Sequence, residues 1–209
     1  MKANISSQAD IIYNREAMVF DEGLMVPDEG EILLLDHNAD KIYDTVIITS
    51  SVTKVVQEYS NSQSTLTFKY TGEYNAQYTG AEVSKHLDYE IDFSTFEDRK
   101  VKVFKADGTL GKLTSLTEWS VVDVRESLSG KYIEVYLLNE KVTGSVEEME
   151  TDANGEIILT IGGKQYQVSH YYPNLGKNAI LLGTSGIFYL DSHDKIVGVN
   201  FQENLWYFG

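Results

Sequence analysis

The chain has 209 residues, 42% of them hydrophobic, and a formal net charge of −15 at pH 7. That length and apolar share suit one large or two small globular domains and exclude a disordered chain. The charge would repel phosphate backbones and anionic bilayers, so no nucleic-acid partner is expected, and the absence of cysteine excludes disulfides, thiolate metal sites and cysteine nucleophiles.

Tyr, Val, Ile and Thr fit a pleated, half-buried surface, and the chain carries 14 tyrosines against 2 prolines. The first predicted element is a hairpin over residues 10–20, followed by turns at Asp21-Glu-Gly23 and Val26-Pro-Asp-Glu-Gly30. Ile32 to Leu35 is a short apolar run of the kind found in buried strands. His37-Asn-Ala-Asp40 turns the chain into strands at Tyr43–Ser50 and Val52–Tyr59. After the turn Asn61-Ser-Gln-Ser64, Leu66, Phe68 and Tyr70 alternate with Thr67 and Lys69, a strand buried on one face.

Residues 71–88 carry no clear period and read as an extended loop, with one or two helical turns at Ala81–Leu87. Strands follow at Tyr89–Phe93 and Val101–Lys105, then a hairpin turn at Ala106-Asp-Gly-Thr109. Thr114–Trp119 reads as a short helical turn or a connection. Further strands are expected at Val121–Arg125, Tyr132–Leu138, Val142–Met149 and Glu156–Ile161. Gly162-Gly163 signals a two-residue hairpin into Gln165–Ser169. A loop at Asn174–Asn178 leads to a last hairpin, Ile187–Leu190 and Lys195–Phe201, around Asp191-Ser-His-Asp194.

Part of this order repeats. Glu31-Ile-Leu-Leu-Leu-Asp36, Tyr43 to Thr49 and Val52 to Glu58 align without a gap on Val121-Val-Asp-Val-Arg-Glu126, Ile133 to Asn139 and Val142 to Glu148, at an offset of 90 residues. A third, degenerate copy of the front half lies at Ile187–Asp191 and Lys195–Val199. The expected fold is therefore all-β: two small repeated modules, barrel- or sandwich-like, with no long helix. The expected division is an N-terminal hairpin and linker over 1–30, one module over 31–119 and a second over 120–209. Repeated small β-modules usually build spacers, arrays or stalks.

The order of motifs resembles the β-rich, non-anchoring region of S-layer-homology (SLH) domain proteins of clostridia and related Gram-positive bacteria. The residues that carry the likeness are Ile12-Tyr-Asn14, Gly30 to Asp36, the Asp36–Asp44 turn, Val121 to Ser127, Val142-Thr-Gly-Ser-Val146, Ile161 to Val168 and Gly186 to Asp191 with Lys195-Ile-Val197. The anchoring modules themselves are not among these residues, so the resemblance does not assign wall anchoring to them. It implies an exported bacterial surface protein, with this chain as a structural or displayed segment beside other domains of the same protein. Met1–Asp10 lacks the apolar core of a signal peptide, and the chain stops on Trp206-Tyr-Phe-Gly209. The first fits either a cytosolic protein or a piece of a longer exported chain, and the second favours the piece. No apolar run approaches the roughly 20 residues of a membrane helix, so no membrane insertion is expected.

Candidate chemistry is sparse. Asp36, Asn38 and Asp40 have the spacing of the first three ligands of a calcium loop, and Asp44 follows. Lys41 stands where such a loop needs Gly, and Ile47 where it needs a bidentate carboxylate. An Asp/Asn-rich turn capped by its own side chains explains the same residues, so calcium is the one candidate cofactor. Tyr74 and Tyr78, in the irregular stretch, are candidate glycan-stacking residues, whereas the other aromatics read mainly as packing. His37, His86, His170 and His193 make no metal-ligand cluster in sequence. No H-E-x-x-H, G-x-S-x-G or phosphate-loop motif occurs, and acidic pairs such as Glu147/Glu148 read as solvated faces, so an enzyme is not expected. Two functions stand: a non-enzymatic structural or display segment, or a module that binds glycan or cell-wall polymer with help from calcium.

Overall fold

A computed structural model describes residues 3–27, 29–70, 90–94 and 100–202. The fold is all-β. Its strands are β1 (Ile5–Tyr13), β2 (Glu16–Met18), β3 (Gly30–Leu35), β4 (Tyr43–Ser50), β5 (Val52–Ser60), β6 (Thr65–Phe68), β7 (Glu90–Asp92), β8 (Lys100–Phe104), β9 (Val121–Glu126), β10 (Tyr132–Leu138), β11 (Lys141–Thr151), β12 (Ile157–Ile161), β13 (Lys164–Gln167), β14 (Ser185–Leu190) and β15 (Ile196–Phe201). Short 3-10 turns interrupt them at Glu22–Leu24, Leu113–Ser115 and Gly176–Asn178.

These strands form three sheets, ordered β2-β1-β4-β3, β7-β6-β5-β9-β10-β8 and β13-β12-β11-β14-β15. β1 starts at Ile5, ahead of the hairpin expected from Asp10, because it pairs in parallel with β4 (Ile5 opposite Tyr43, Ile11 opposite Val46). Nothing in the alternation of Ser6-Ser-Gln8 announces that partner. The hairpin turns follow local chemistry. Asn14 and Arg15 (φ 42° and 73°) and Gly162 and Gly163 (φ 60° and 75°) take the left-handed conformations of two-residue loops.

The chain passes between sheets almost without a linker. Only Ser51 separates β4 of the first sheet from β5 of the second, and only Asn139 and Glu140 separate β10 from β11 of the third. The 90-residue repeat is this handover: a hairpin (β3–β4, then β9–β10), followed by a strand that enters the next sheet (β5, then β11). The third copy is the β14–β15 hairpin. In the second and third sheets the entering strand pairs with the first strand of the closing hairpin, β5 on β9 and β11 on β14. The sheets therefore divide the chain at Ser51 and at Asn139-Glu140, while the expected boundary near residue 119 falls inside the second sheet. Pairing of Val52 with Val124 spans that boundary.

Each sheet carries its own apolar cluster. Ile11, Tyr13, Val46 and Ile48 fill the first; Val56, Leu66, Val122, Ile133 and Val135 the second; Leu159, Tyr172, Phe188 and Ile196 the third. Burying such side chains contributes about 1.5–3 kcal/mol each relative to exposure. A smaller cluster, Val55, Val121 and Val197, joins the second sheet to the third.

Candidate functional site

Alternation decides what each face of the second sheet presents. Val122 and Val124 point into its core, which sends Val121, Asp123 and Arg125 to the opposite face. On that face the neighbouring sheets dock. The β1–β2 turn lies against one end: the Asn14 side-chain amide donates to the carbonyls of Ser50 and Glu126, both at 2.8 Å. The Asn14 side-chain oxygen accepts from the Ser50 amide at 2.9 Å. Arg15 Nε meets Glu134 Oε1 at 2.6 Å, and Glu16 Oε2 accepts from the Ser129 amide at 2.9 Å.

At the other end Trp119 stacks on Tyr189 of β14, with ring centroids 5.2 Å apart. Lys69 Nζ sits 4.0 Å from the centre of the Trp119 ring and 2.7 Å from Glu118 Oε1. Tyr70 leaves the second sheet at φ 63° and packs edge-on against Tyr172 of the third.

Between these contacts lies a buried acidic cluster. Glu29 precedes β3, Asp123 is on β9, and Asp191 opens the β14–β15 turn, so each sheet supplies one carboxyl. They are 7%, 8% and 1% exposed. Thr53 of β5 stands between two of them, its hydroxyl 3.1 Å from Glu29 Oε2 and 2.5 Å from Asp123 Oδ1. A hydroxyl has one proton, so it cannot donate to both at once. Asp191 Oδ1 closes its own turn by accepting from the His193 and Lys195 amides, both at 2.8 Å. Glu29 Oε1 and Asp191 Oδ2 are buried with no hydrogen-bond partner among the described residues. Ligand atoms of Glu29, Asp191 and His193 all lie within 4.8 Å of one another.

The electrostatics follow from this crowding. Burial pushes the Glu29 carboxyl above the ordinary carboxylate value; Asp191 adds to the rise and the Thr53 hydroxyl opposes it. Burial raises Asp123 as well, with Thr53 again opposing and Asp191 adding to the rise. Glu29 and Asp123 have no lysine or arginine ion pair among the described residues, although the Arg125 charge partly offsets the rise at Asp123, and desolvating each charge costs several kcal/mol. The cluster can hold protons or a cation.

The Asp36–Asp44 turn has a different geometry. Asp36 Oδ2 accepts from the Lys41 amide at 2.9 Å, Asn38 Oδ1 from the Asp40 amide at 3.0 Å, and Asp40 Oδ1 from the Ile42 amide at 2.8 Å. Asp44 Oδ2 accepts from the His37 amide at 3.1 Å, and its other oxygen meets the His37 ring. Each of the four residues therefore turns an oxygen onto the backbone of the turn itself. Lys41 takes the left-handed φ of 68° that glycine would have met without strain. Asn38 and Asp40 are exposed, and Asp36 and Asp44 half-buried. Tyr74 and Tyr78 lie outside the described residues.

Sequence reasoning passed over Glu29, Thr53, Asp123 and Asp191. Two signals were legible. Asp123 interrupts the apolar run Val121-Val-Asp-Val124, and Asp191 closes the third repeat copy at the position Asp36 holds in the first.

Comparison with known proteins finds no matching family model, no similar curated protein and no similar solved structure. Among the described residues no helix is long and apolar enough to cross a membrane.

Proposed function

We propose that this chain is a non-enzymatic structural or display segment of a bacterial cell-surface protein, in which successive β-sheets hold a set orientation. The observation that carries the reading is the single-residue handover at Ser51, with Asn14 bonded to the Ser50 amide and carbonyl and to the Glu126 carbonyl. A link that short leaves little backbone freedom between two sheets, and side-chain bonds remove more of it. The second handover is backed by the Trp119–Tyr189 stack and the Val55, Val121 and Val197 cluster. A spacer needs this stiffness. Placement at a bacterial surface, in an S-layer-associated protein beside other domains, rests on the SLH-protein resemblance.

The chain has no cysteine, so paired spin labels can be introduced cleanly. Labels at Gln8→Cys, exposed on β1 of the first sheet, and Ala153→Cys, exposed in the β11–β12 turn of the third, should give one narrow distance distribution. A broad distribution spanning tens of ångströms would defeat the spacer reading.

The second reading is a glycan- or cell-wall-polymer-binding module assisted by calcium. It is favoured by an open hollow of about 560 Å³ where Asp21 and Glu22 stand beside Met18, Val19, Phe20, Leu24 and Leu128, with Val19 87% exposed. Co-sedimentation with purified Gram-positive sacculi, with calcium and with chelator, separates the two. Pelleting that is lost in Phe20→Ala supports binding, and no pelleting leaves the spacer.

A further inference from the structure

We propose that the meeting point of the sheets is a divalent-cation site built by Glu29 and Asp191, with His193 within reach of the same ion and Asp123 and Thr53 beside them. The inference does not depend on the surface role argued above; it concerns what the junction binds.

The first ground is unmet chemistry. Among the described residues, Glu29 Oε1 and Asp191 Oδ2 are buried acceptors with no donor, on residues that are 7% and 1% exposed. Buried carboxylate oxygens are normally paired or bound to metal, since an unpaired one forfeits its hydration with nothing in return. The second ground is convergence. Oxygens of Glu29 and Asp191 and a ring nitrogen of His193 already lie within 4.8 Å of one another, close enough for one ion between them. Asp123 joins through the Thr53 hydroxyl that touches both it and Glu29. The third ground is rigidity. Both Asp191 Oδ1 bonds lock the turn and leave the buried Oδ2 as a free lone-pair donor, and the Thr53 hydroxyl stands 3.1 Å from the other oxygen of Glu29.

An ion here would tie the segment before β3 to the β14–β15 turn, residues far apart in the chain, over the Thr53–Asp123 pair of the second sheet. Carboxylates bind metal in their ionised form, so affinity should weaken at low pH. Carboxylate and hydroxyl oxygens alone suit Ca²⁺ or Mg²⁺; engagement of His193 would move the preference toward Mn²⁺ or Zn²⁺.

The test uses the whole 209-residue chain, stripped with chelator. Chlorides of Ca²⁺, Mg²⁺, Mn²⁺ and Zn²⁺ are titrated separately, with melting temperature and calorimetric affinity as readouts. At least one ion should raise the melting temperature. Glu29→Gln and Asp191→Asn should each lower affinity for that ion by roughly tenfold or more. Both substitutions keep the oxygen that makes the local hydrogen bonds, so the fold should persist. In chelator both should melt at or above the wild type, because a buried charge has gone. Asp36→Asn and Asp40→Asn, in the separate turn, should leave the response intact. The proposal is overturned if no ion shifts the melting temperature, or if the shift survives in both junction variants. Loss of the shift in Asp36→Asn or Asp40→Asn, with the junction variants unaffected, overturns it equally.

Discussion

The Tyr70 hydroxyl accepts a hydrogen bond from the Val199 amide at 3.1 Å, joining the end of the second sheet to the last strand of the third. The same oxygen lies 3.4 Å from the Val199 carbonyl, so one phenol serves both backbone groups of a residue on another sheet. The ring also packs against the core of the third sheet. Tyr70→Phe keeps the ring and strands the Val199 amide. It should cost about 0.5–1.5 kcal/mol in urea unfolding. An unchanged midpoint would show that this bond contributes nothing to docking.

Gly198 admits the close approach that lets Tyr70 reach. A Cβ at this position would stand 3.0 Å from Val55 Cγ2 and 3.6 Å from the Tyr70 hydroxyl. Gly198→Val should therefore push β15 away from β5 and cost about 1–3 kcal/mol. Labels across the second junction should broaden in distance while circular dichroism keeps its β signature. A variant as stable as the wild type would mean that the two sheets are not held this tightly.

Asn14 makes three bonds to the first handover and stands at φ 42°, a conformation asparagine tolerates better than alanine. Asn14→Ala should lose about 1–3 kcal/mol. Limited proteolysis should then cut near Ser51 first. Persistent resistance at Ser51 would indicate that β-pairing alone holds the junction.

Glu29 and Asp123 set a pH dependence whose sign is fixed by their shift. Their folded-state values lie above the ordinary 4.5 and 3.8, so the folded chain binds these protons more tightly than the unfolded one. Their contribution is most favourable below the ordinary values and is lost as pH rises through the raised ones. Other groups run the other way: Asp107 and Asp152 are held low by hydrogen bonds within their turns. The difference between wild type and Glu29→Gln isolates the effect from that background. In chelator, the wild type should lose stability relative to the variant as pH rises from about 4 to 7. A constant difference would mean that Glu29 ionises freely.

His37 and Asp44 form an exposed pair with opposite shifts. The hydrogen bond that the His37 ring donates to the Asp44 carboxylate raises His37 above its ordinary 6.5, and the same bond holds Asp44 below 3.8. Any stabilisation from His37 is complete below its ordinary value and fades as pH rises through the raised one. An NMR titration should place the His37 midpoint above that of the histidine in an Asp44→Asn variant. Coincident midpoints would show that the pair does not persist in solution.

Much of the strand pattern was written locally. Leu66, Phe68 and Tyr70 alternate with Thr67 and Lys69, and β6 runs Thr65–Phe68. Gly162-Gly163 turns β12 into β13 with both residues at positive φ. The repeat at Val52 and Val142 marks the two strands that enter a new sheet. Such features are legible because turn chemistry and side-chain alternation act over a few residues.

Pairing across distance was not legible. The run Val52-Thr-Lys-Val55 can pair with any complementary strand, and its choice of Val121–Val124 moved the division of the chain from residue 119 to Ser51. The acidic cluster was hidden for the same reason. Glu29, Asp123 and Asp191 belong to three different sheets, and each taken alone reads as a turn or surface acid. By itself the sequence determined an all-β chain, its turns and its handover strands, since those depend on neighbouring residues. Only the tertiary structure decided which strands pair and which carboxyls share one buried space, because both depend on packing between segments the chain order keeps far apart.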